Sequence, residues 1–132
     1  MLGTILCVDD DPITLMLCKM VITKAAFSNE IATAKNGEEA LKYFDAFKKN
    51  AGSNNKPQLI FLDLNMPVMN GWEFLDSFTT KEYSDYQDTK VIILSSTIDP
   101  EDLEKSKKYP MVIDFLSKPI SREMLEFLKG KI

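Results

Sequence analysis

The sequence predicts an α/β fold in which a doubly wound parallel sheet of five strands is covered by five helices. The first observation is a set of continuous apolar runs, at Thr4–Val8, Leu59–Leu62 and Val91–Leu94, that are too short for stable helices. Such runs are typical of strands buried on both faces of a parallel sheet. The second is strict alternation of these runs with amphipathic stretches, which places helices on both faces through right-handed crossovers. The length of 132 residues fits one domain.

Two weaker segments complete the predicted sheet, Glu30–Ala34 as an edge strand and Ile113–Ser117 as the fifth strand. If the strand order is 2-1-3-4-5, strands one and three are neighbours where the order reverses, which is where open sheets bind ligands. The two longest connections, Lys48–Pro57 and Thr79–Thr89, both run from a helix into a strand. They should therefore lie at the amino ends of the strands, away from that edge.

The helices are predicted from apolar spacing and from capping residues. Asp11 caps the first, with Pro12 at its first position; the fourth runs from Pro100 to about Lys108 after Asp99, and Ser121 caps the last. The apolar residues that mark the helices are Ile13, Met16, Leu17, Met20 and Val21 in the first, Ala40, Leu41 and Phe44 after Gly37 in the second, Trp72, Leu75 and Phe78 after Gly71 in the third, and Leu125 and Leu128, with Met124 and Phe127 beside them, in the fifth.

Composition and charge exclude several kinds of function. The absence of histidine excludes histidine acid–base catalysis, a histidine metal site and a phosphohistidine on this chain. The net charge of −4 argues weakly against a nucleic-acid partner. No apolar run is long enough to cross a bilayer and no signal peptide is evident, so we expect a cytoplasmic protein without a membrane partner. Cys7 and Cys18 lie within apolar patterns and are expected to be buried free thiols.

Polar side chains follow the strands at their carboxyl ends. Asp9 and Asp10 follow the first strand, Asp63 the third, Ser95 the fourth and Lys118 the fifth. These ends share one edge of a parallel sheet, so the three acids should converge within a few ångströms. Each feature alone has an ordinary explanation as a helix cap, turn or strand end. Their joint occurrence at one edge favours a site that holds a cation.

The chemistry of these groups points to phosphoryl transfer. Carboxylates without imidazole or thiolate are ligands that suit Mg²⁺. Lys118 adds a point charge suited to a phosphate oxygen, and Ser95 adds a hydroxyl donor. Phosphoryl transfer depends mainly on positioning and charge neutralisation, and an acyl phosphate on an aspartate is an established covalent intermediate. The arrangement therefore suits a phosphoryl group on Asp63.

Several segments resemble, in order and spacing, the response-regulator receiver domain of two-component signalling. They are "ILCVDDDP", "AKNGEEAL", "LIFLDLNMPVMNGWEF", "VIILSS" and "FLSKPIS". The resemblance covers essentially the whole chain. It implies a flavodoxin-like receiver domain over residues 1–132, with no output domain.

The resemblance also implies roles at the matching positions of the acidic site. Asp63 would be the phosphoacceptor, and Lys118 would pair with the phosphoryl group. Asp10 and Asp63 would bind Mg²⁺ directly, together with the backbone carbonyl of Asn65. Asp9 would act through a metal-bound water, whereas Asp11 is interpreted as a helix cap.

Further positions match the residues that respond to phosphorylation in this family. Ser95 would be the switch hydroxyl, where threonine is commoner, and Phe115 the switch aromatic that turns inward. Asn65 and Thr97 would tune the lifetime of the acyl phosphate. The Lys118–Pro119 bond is expected to be cis.

The implied function is a stand-alone response regulator. It would receive a phosphoryl group from a sensor histidine kinase or histidine phosphotransfer protein and would bind a downstream protein through helix 4, strand 5 and helix 5. We expect no separate substrate turnover. An alternative is a small Mg²⁺-dependent aspartyl-phosphate phosphohydrolase, since Asp9 and Asp11 have D-x-D spacing, but no cap domain fits into 132 residues. A flavin-binding module and a constitutive docking scaffold are weaker alternatives.

Overall fold

Five parallel strands form one sheet in the order β2-β1-β3-β4-β5. This computed structural model describes residues 2–49, 56–66, 68–96 and 98–131. The strands are β1 (Leu2–Val8), β2 (Ser28–Ala34), β3 (Leu59–Leu62), β4 (Lys90–Ser95) and β5 (Val112–Ser117). The predicted strands and their order are confirmed, and the order reverses between β1 and β3.

The described residues form five α-helices, which are α1 (Pro12–Lys24), α2 (Gly37–Lys49), α3 (Gly71–Phe78), α4 (Pro100–Ser106) and α5 (Arg122–Lys129). The caps Asp11, Asp99 and Ser121 are confirmed, since each side chain accepts a backbone N–H of its helix. The fourth helix ends at Ser106, before the predicted Lys108. Among the described helices, none is both long enough and apolar enough to traverse a bilayer.

Apolar layers on both faces of the sheet explain why the strand sequences are continuously hydrophobic. Leu59 and Phe61 face the layer that contains α1 and α5, whereas Ile60 and Leu62 face the layer that contains α2 and α3. Successive side chains of a strand point to opposite faces, so a strand covered on both faces needs apolar residues throughout. Cys7 is buried in the α1–α5 layer, as predicted.

The prediction for the buried face of α1 is wrong at four of its five residues and correct at Val21, which packs against the core. Ile13, Met16, Leu17 and Met20 are 63, 54, 41 and 45% exposed. The buried residues are Cys18 and Ile22, with Leu15, Val21 and Ala25 packed beside them. Because α1 is apolar on most of its circumference, two overlapping patterns fit helical spacing, and periodicity alone does not select between them. The helix therefore presents an apolar face to solvent.

The described ends of the two long connections lie at the amino ends of β3 and β4, where the sequence predicts both connections to run. The Thr89 hydroxyl donates to the Pro57 carbonyl at 3.0 Å, and Lys56 pairs with Asp88 at 3.2 Å. These contacts join the ends of the two long connections next to the start of β4. The second connection contains a 3-10 helix, Lys81–Tyr86, that the sequence did not predict. Residues 50–55 of the first lie outside the described residues.

Candidate functional site

Backbone hydrogen bonds position the acids at the point where the strand order reverses. The Asp9 N–H donates to the Ala34 carbonyl at 3.0 Å, and the Asp63 N–H donates to the Val8 carbonyl at 2.9 Å. One carboxylate oxygen from each of Asp9, Asp10 and Asp63 lies within 4.8 Å of the others. The predicted convergence of the three acids is therefore confirmed.

Lys118 reaches this acidic cluster from the end of β5. Its N–H donates to the Ser95 carbonyl at 2.8 Å, which fixes the backbone beside the end of β4. Its Nζ lies 2.6 Å from Asp9 Oδ2 and 3.2 Å from Asp63 Oδ1. The Lys118–Pro119 bond is cis, as predicted. The ammonium group thus bridges the two buried acids.

The cluster carries more negative than positive charge. Asp9 and Asp63 are buried, whereas Asp10 is exposed. Burial raises the pKa of Asp63, and the charge of Asp9 raises it further, against the opposing effect of Lys118. Burial alone would lower the pKa of Lys118, but the contacts with Asp9 and Asp63 outweigh it and the net shift is upward. One ammonium therefore faces three carboxylates, an arrangement that favours binding of a further cation.

The donor set fits Mg²⁺. All three acidic side chains offer hard oxygen ligands, and the exposure of Asp10 leaves room for the waters that Mg²⁺ retains. Asp11 is not part of this donor set, because its carboxylate accepts the Ile13 N–H at 2.9 Å as the cap of α1. The Asp11 N–H in turn donates to Asp9 Oδ1 at 2.9 Å, which orients that carboxylate.

The residues expected to respond to phosphorylation or to tune its lifetime differ in their burial. Ser95 is buried at the end of β4, beside Lys118. Phe115 is 8% exposed and packs against Leu64 and Ile93, so it is already buried in this structure. Asn65, two residues after Asp63, is exposed. The predicted Thr97 lies outside the described residues.

Gly71 is a structural requirement of the site that the sequence reasoning missed. Its N–H donates to the Leu64 carbonyl at 3.0 Å, which brings the start of α3 against the backbone after β3. A Cβ at this position would lie 2.5 Å from the carbonyl oxygen of Asp63. The "NG" pair before the third helix was visible in the sequence, but this close approach is a tertiary contact.

We predict that Gly71→Ala destabilises the fold by about 1–3 kcal/mol, because the new methyl group must displace the backbone of Asp63. Urea denaturation measures this change. Gly130→Ala is the matched control, since its Cβ would meet only the Phe127 carbonyl at 3.7 Å. Equal losses in the two variants would contradict the close-approach explanation.

Comparison with known proteins agrees with this geometry. Residues 5–127 match the response regulator receiver domain family. The nitrate/nitrite response regulator protein NarL of Escherichia coli K12 is 32% identical over 106 residues, which cover 80% of this chain and 44% of NarL. A two-component response regulator from Cytophaga hutchinsonii superposes with a TM-score of 0.88 at 29% identity, covering 98% of this chain and 96% of that chain. The chemotaxis response regulator CheY4 of Vibrio cholerae gives a TM-score of 0.77 at 26% identity, covering 99% of this chain and 98% of that chain.

The fold and the acidic cluster define a flavodoxin-like α/β protein whose candidate site lies at the switch point of the sheet. Within that class, the chain belongs to the response regulator receiver domain family. The chain spans about half the length of the curated relatives it matches, 44 to 46% of each.

Proposed function

We propose that this chain is a response regulator receiver domain that accepts a phosphoryl group on Asp63 from a phosphohistidine of a sensor histidine kinase or histidine phosphotransfer protein. An Asp63 oxygen forms the new bond to phosphorus, the donor's N–P bond breaks, and the imidazole leaves. The observation that carries the proposal is the bridge that Lys118 forms between Asp9 and Asp63 in a cluster with excess negative charge.

The geometry favours one oxygen of Asp63 as the attacking atom. Oδ1 accepts the Leu64 N–H at 3.0 Å and lies 3.2 Å from Lys118 Nζ. We therefore assign the attack to Oδ2. Lys118 is close enough to move from the carboxylate to the incoming phosphoryl oxygens, whose charge it would neutralise.

A metal ion completes the proposed site. The side chains of Asp10 and Asp63, with the Asn65 carbonyl, would hold Mg²⁺, and Asp9 would contact it through water. When bound there, Mg²⁺ supplies positive charge to the phosphoryl oxygens. Asn65 and Thr97 are proposed to tune how quickly water hydrolyses the acyl phosphate.

Ser95 and Phe115 are proposed to convert phosphorylation into a change of surface. The Ser95 hydroxyl would move toward the new phosphoryl group, which favours burial of Phe115. Phe115 lies on β5, and its cluster contacts Leu103 of α4. The proposed output is binding of a downstream protein through α4, β5 and α5, in the cytoplasm and without nucleic acid or membrane.

The exposed face of α1 is proposed to dock the phosphohistidine donor, because it begins beside the acidic cluster. We predict that Met16→Glu lowers the rate of transfer from the donor protein about tenfold, since a charge would replace a 54% exposed apolar contact. Labelling by acetyl phosphate should be unchanged. Phe127→Glu, the same kind of change on α5, should retain donor transfer. Loss of both kinds of labelling in Met16→Glu would contradict a docking role.

The proposed function is tested by incubating the protein with acetyl phosphate, with and without Mg²⁺, and measuring intact mass. We expect one phosphoryl group per chain, acquired only with Mg²⁺ and lost at alkaline pH as acyl phosphates are. Multiple turnover of phosphate esters would instead favour the phosphohydrolase alternative. Absence of any labelling would contradict the proposal.

A further inference from the structure

Four side chains connect α3 to α4 and to the turn that follows α4. The Trp72 ring on α3 stacks on Tyr109, with centroids 5.7 Å apart and planes at 26°. Lys105 of α4 places its Nζ 4.8 Å from the centre of the Trp72 ring. The Tyr109 hydroxyl donates to Asp76 Oδ1, one turn further along α3, at 2.6 Å. These four residues form what we name the α3–α4 clamp.

Helix α4 has few other contacts that could hold it in place. It spans seven residues, of which Ser106 is the one buried residue. Leu103 is partly buried against the cluster around Phe115. A helix of this length is not stable without tertiary contacts. The clamp therefore supplies a substantial part of what positions α4.

The clamp also contacts the residues next to the phosphoacceptor. Trp72 packs against the cluster of Leu64, Ile93 and Phe115. The Leu64 N–H donates to the Asp63 carboxylate at 3.0 Å. A continuous set of contacts thus runs from Asp63 through Leu64 to Trp72, with Phe115 enclosed between β4, α3 and α4.

We propose that the α3–α4 clamp holds Phe115 in its buried position and thereby favours the phosphoryl-bearing form of the domain. This inference rests on the proposed function, in which burial of Phe115 accompanies phosphorylation. Phe115 is 8% exposed while the clamp is closed. A contact that stabilises one of two conformations increases the binding affinity of any ligand that prefers the same conformation. Lys105 and Tyr109 are therefore positioning residues that act through Trp72 and Phe115.

The test measures binding of beryllofluoride, a phosphoryl mimic, in the presence of Mg²⁺ by calorimetry. Lys105→Met removes the cation from the Trp72 ring and should weaken beryllofluoride binding about threefold. Tyr109→Ala removes both the stacking and the hydrogen bond and should weaken it about tenfold. If Tyr109→Ala does not fold, Tyr109→Phe keeps the stacking and should weaken binding about threefold. Lys107→Met is the matched control, because Lys107 pairs with Glu104 on the surface.

Two further measurements separate a positioning role from general destabilisation. Mg²⁺ affinity without beryllofluoride should be equal in wild type and variants, since the clamp does not touch the acids. Trp72 is the one tryptophan of the chain, so its quenching by acrylamide reports on the clamp. In wild type, beryllofluoride should reduce that quenching. Unchanged quenching, or equal or tighter beryllofluoride binding in the clamp variants, would overturn the inference.

The design also distinguishes this inference from the proposed function. If wild type binds no beryllofluoride, or if Asp63→Asn binds it equally well, the proposed function fails. If wild type binds it through Asp63 and the clamp variants match wild type, only the role of the clamp fails.

Discussion

Asp63→Asn is expected to abolish labelling by acetyl phosphate while the protein remains folded. An amide oxygen is a poor nucleophile, and the other acids of the cluster do not have the contacts of Asp63 with both Leu64 and Lys118.

In metal-free buffer the Asp63→Asn variant should also unfold at a higher temperature than wild type. Burial and the charge of Asp9 raise the pKa of Asp63, so the ionised side chain destabilises the fold at neutral pH. Intact mass and calorimetry measure the two effects.

Asp88→Asn is the control for this variant, because Asp88 is exposed and pairs with Lys56 away from the acidic cluster. It should be labelled as fully as wild type. Mg²⁺ should narrow the difference in stability between Asp63→Asn and wild type, since it binds the intact set of three acids more strongly. Undiminished labelling of Asp63→Asn would exclude Asp63 as the acceptor.

The fold and the acidic cluster could be predicted because both depend on local pattern and on a general property of parallel sheets. Short apolar runs identify strands, and the carboxyl ends of those strands share an edge. Asp9, Asp63 and Lys118 each follow a strand directly, so their convergence required no knowledge of side-chain packing. The same argument placed the two long connections at the opposite edge.

The buried face of α1 could not be predicted, because the contacts that decide it come from elsewhere in the chain. Helical spacing fits both the predicted face and the face that contains Cys18 and Ile22. Which of the two faces is buried depends on how α1 packs against β1 and α5, and this packing is a tertiary property. An exposed apolar face is unusual on a helix whose only role is to cover the sheet, and this helix starts beside the acidic cluster.

The buried position of Phe115 and the contacts of the α3–α4 clamp could also not be predicted from the sequence. A pattern identifies an aromatic residue on β5 but does not fix its rotamer, and Phe115 is buried against residues of β4 and of the loop after β3. Trp72 and Tyr109 are 37 positions apart and meet only because α3 and α4 are neighbours. The sequence therefore predicts which side chains reach the carboxyl edge of the sheet. It says less about the packing contacts that fix the conformations of the residues around them.

Lys118→Met is expected to destabilise the protein by about 2–4 kcal/mol in metal-free buffer, because it leaves two buried carboxylates without a counter-charge. Lys118 Nζ lies 2.6 Å from Asp9 and 3.2 Å from Asp63, and the two acids are 5 and 6% exposed. The rate of labelling by acetyl phosphate should fall about a hundredfold, the usual effect of removing one group that stabilises developing charge. Urea denaturation and timed intact-mass measurements test the two effects.

Saturating Mg²⁺ should restore most of the lost stability of Lys118→Met, because a divalent cation among the acids replaces the missing positive charge. The labelling rate should remain low, since a metal held by Asp10 and Asp63 would not replace the ammonium that Lys118 brings to the incoming phosphoryl oxygens. Lys56→Met is the matched control: it breaks an exposed pair with Asp88, whose side chains are 41 and 71% accessible, and should change stability by less than about 0.5 kcal/mol. If Lys118→Met is as stable as wild type without metal, the acidic cluster is not under the electrostatic strain on which the magnesium site depends.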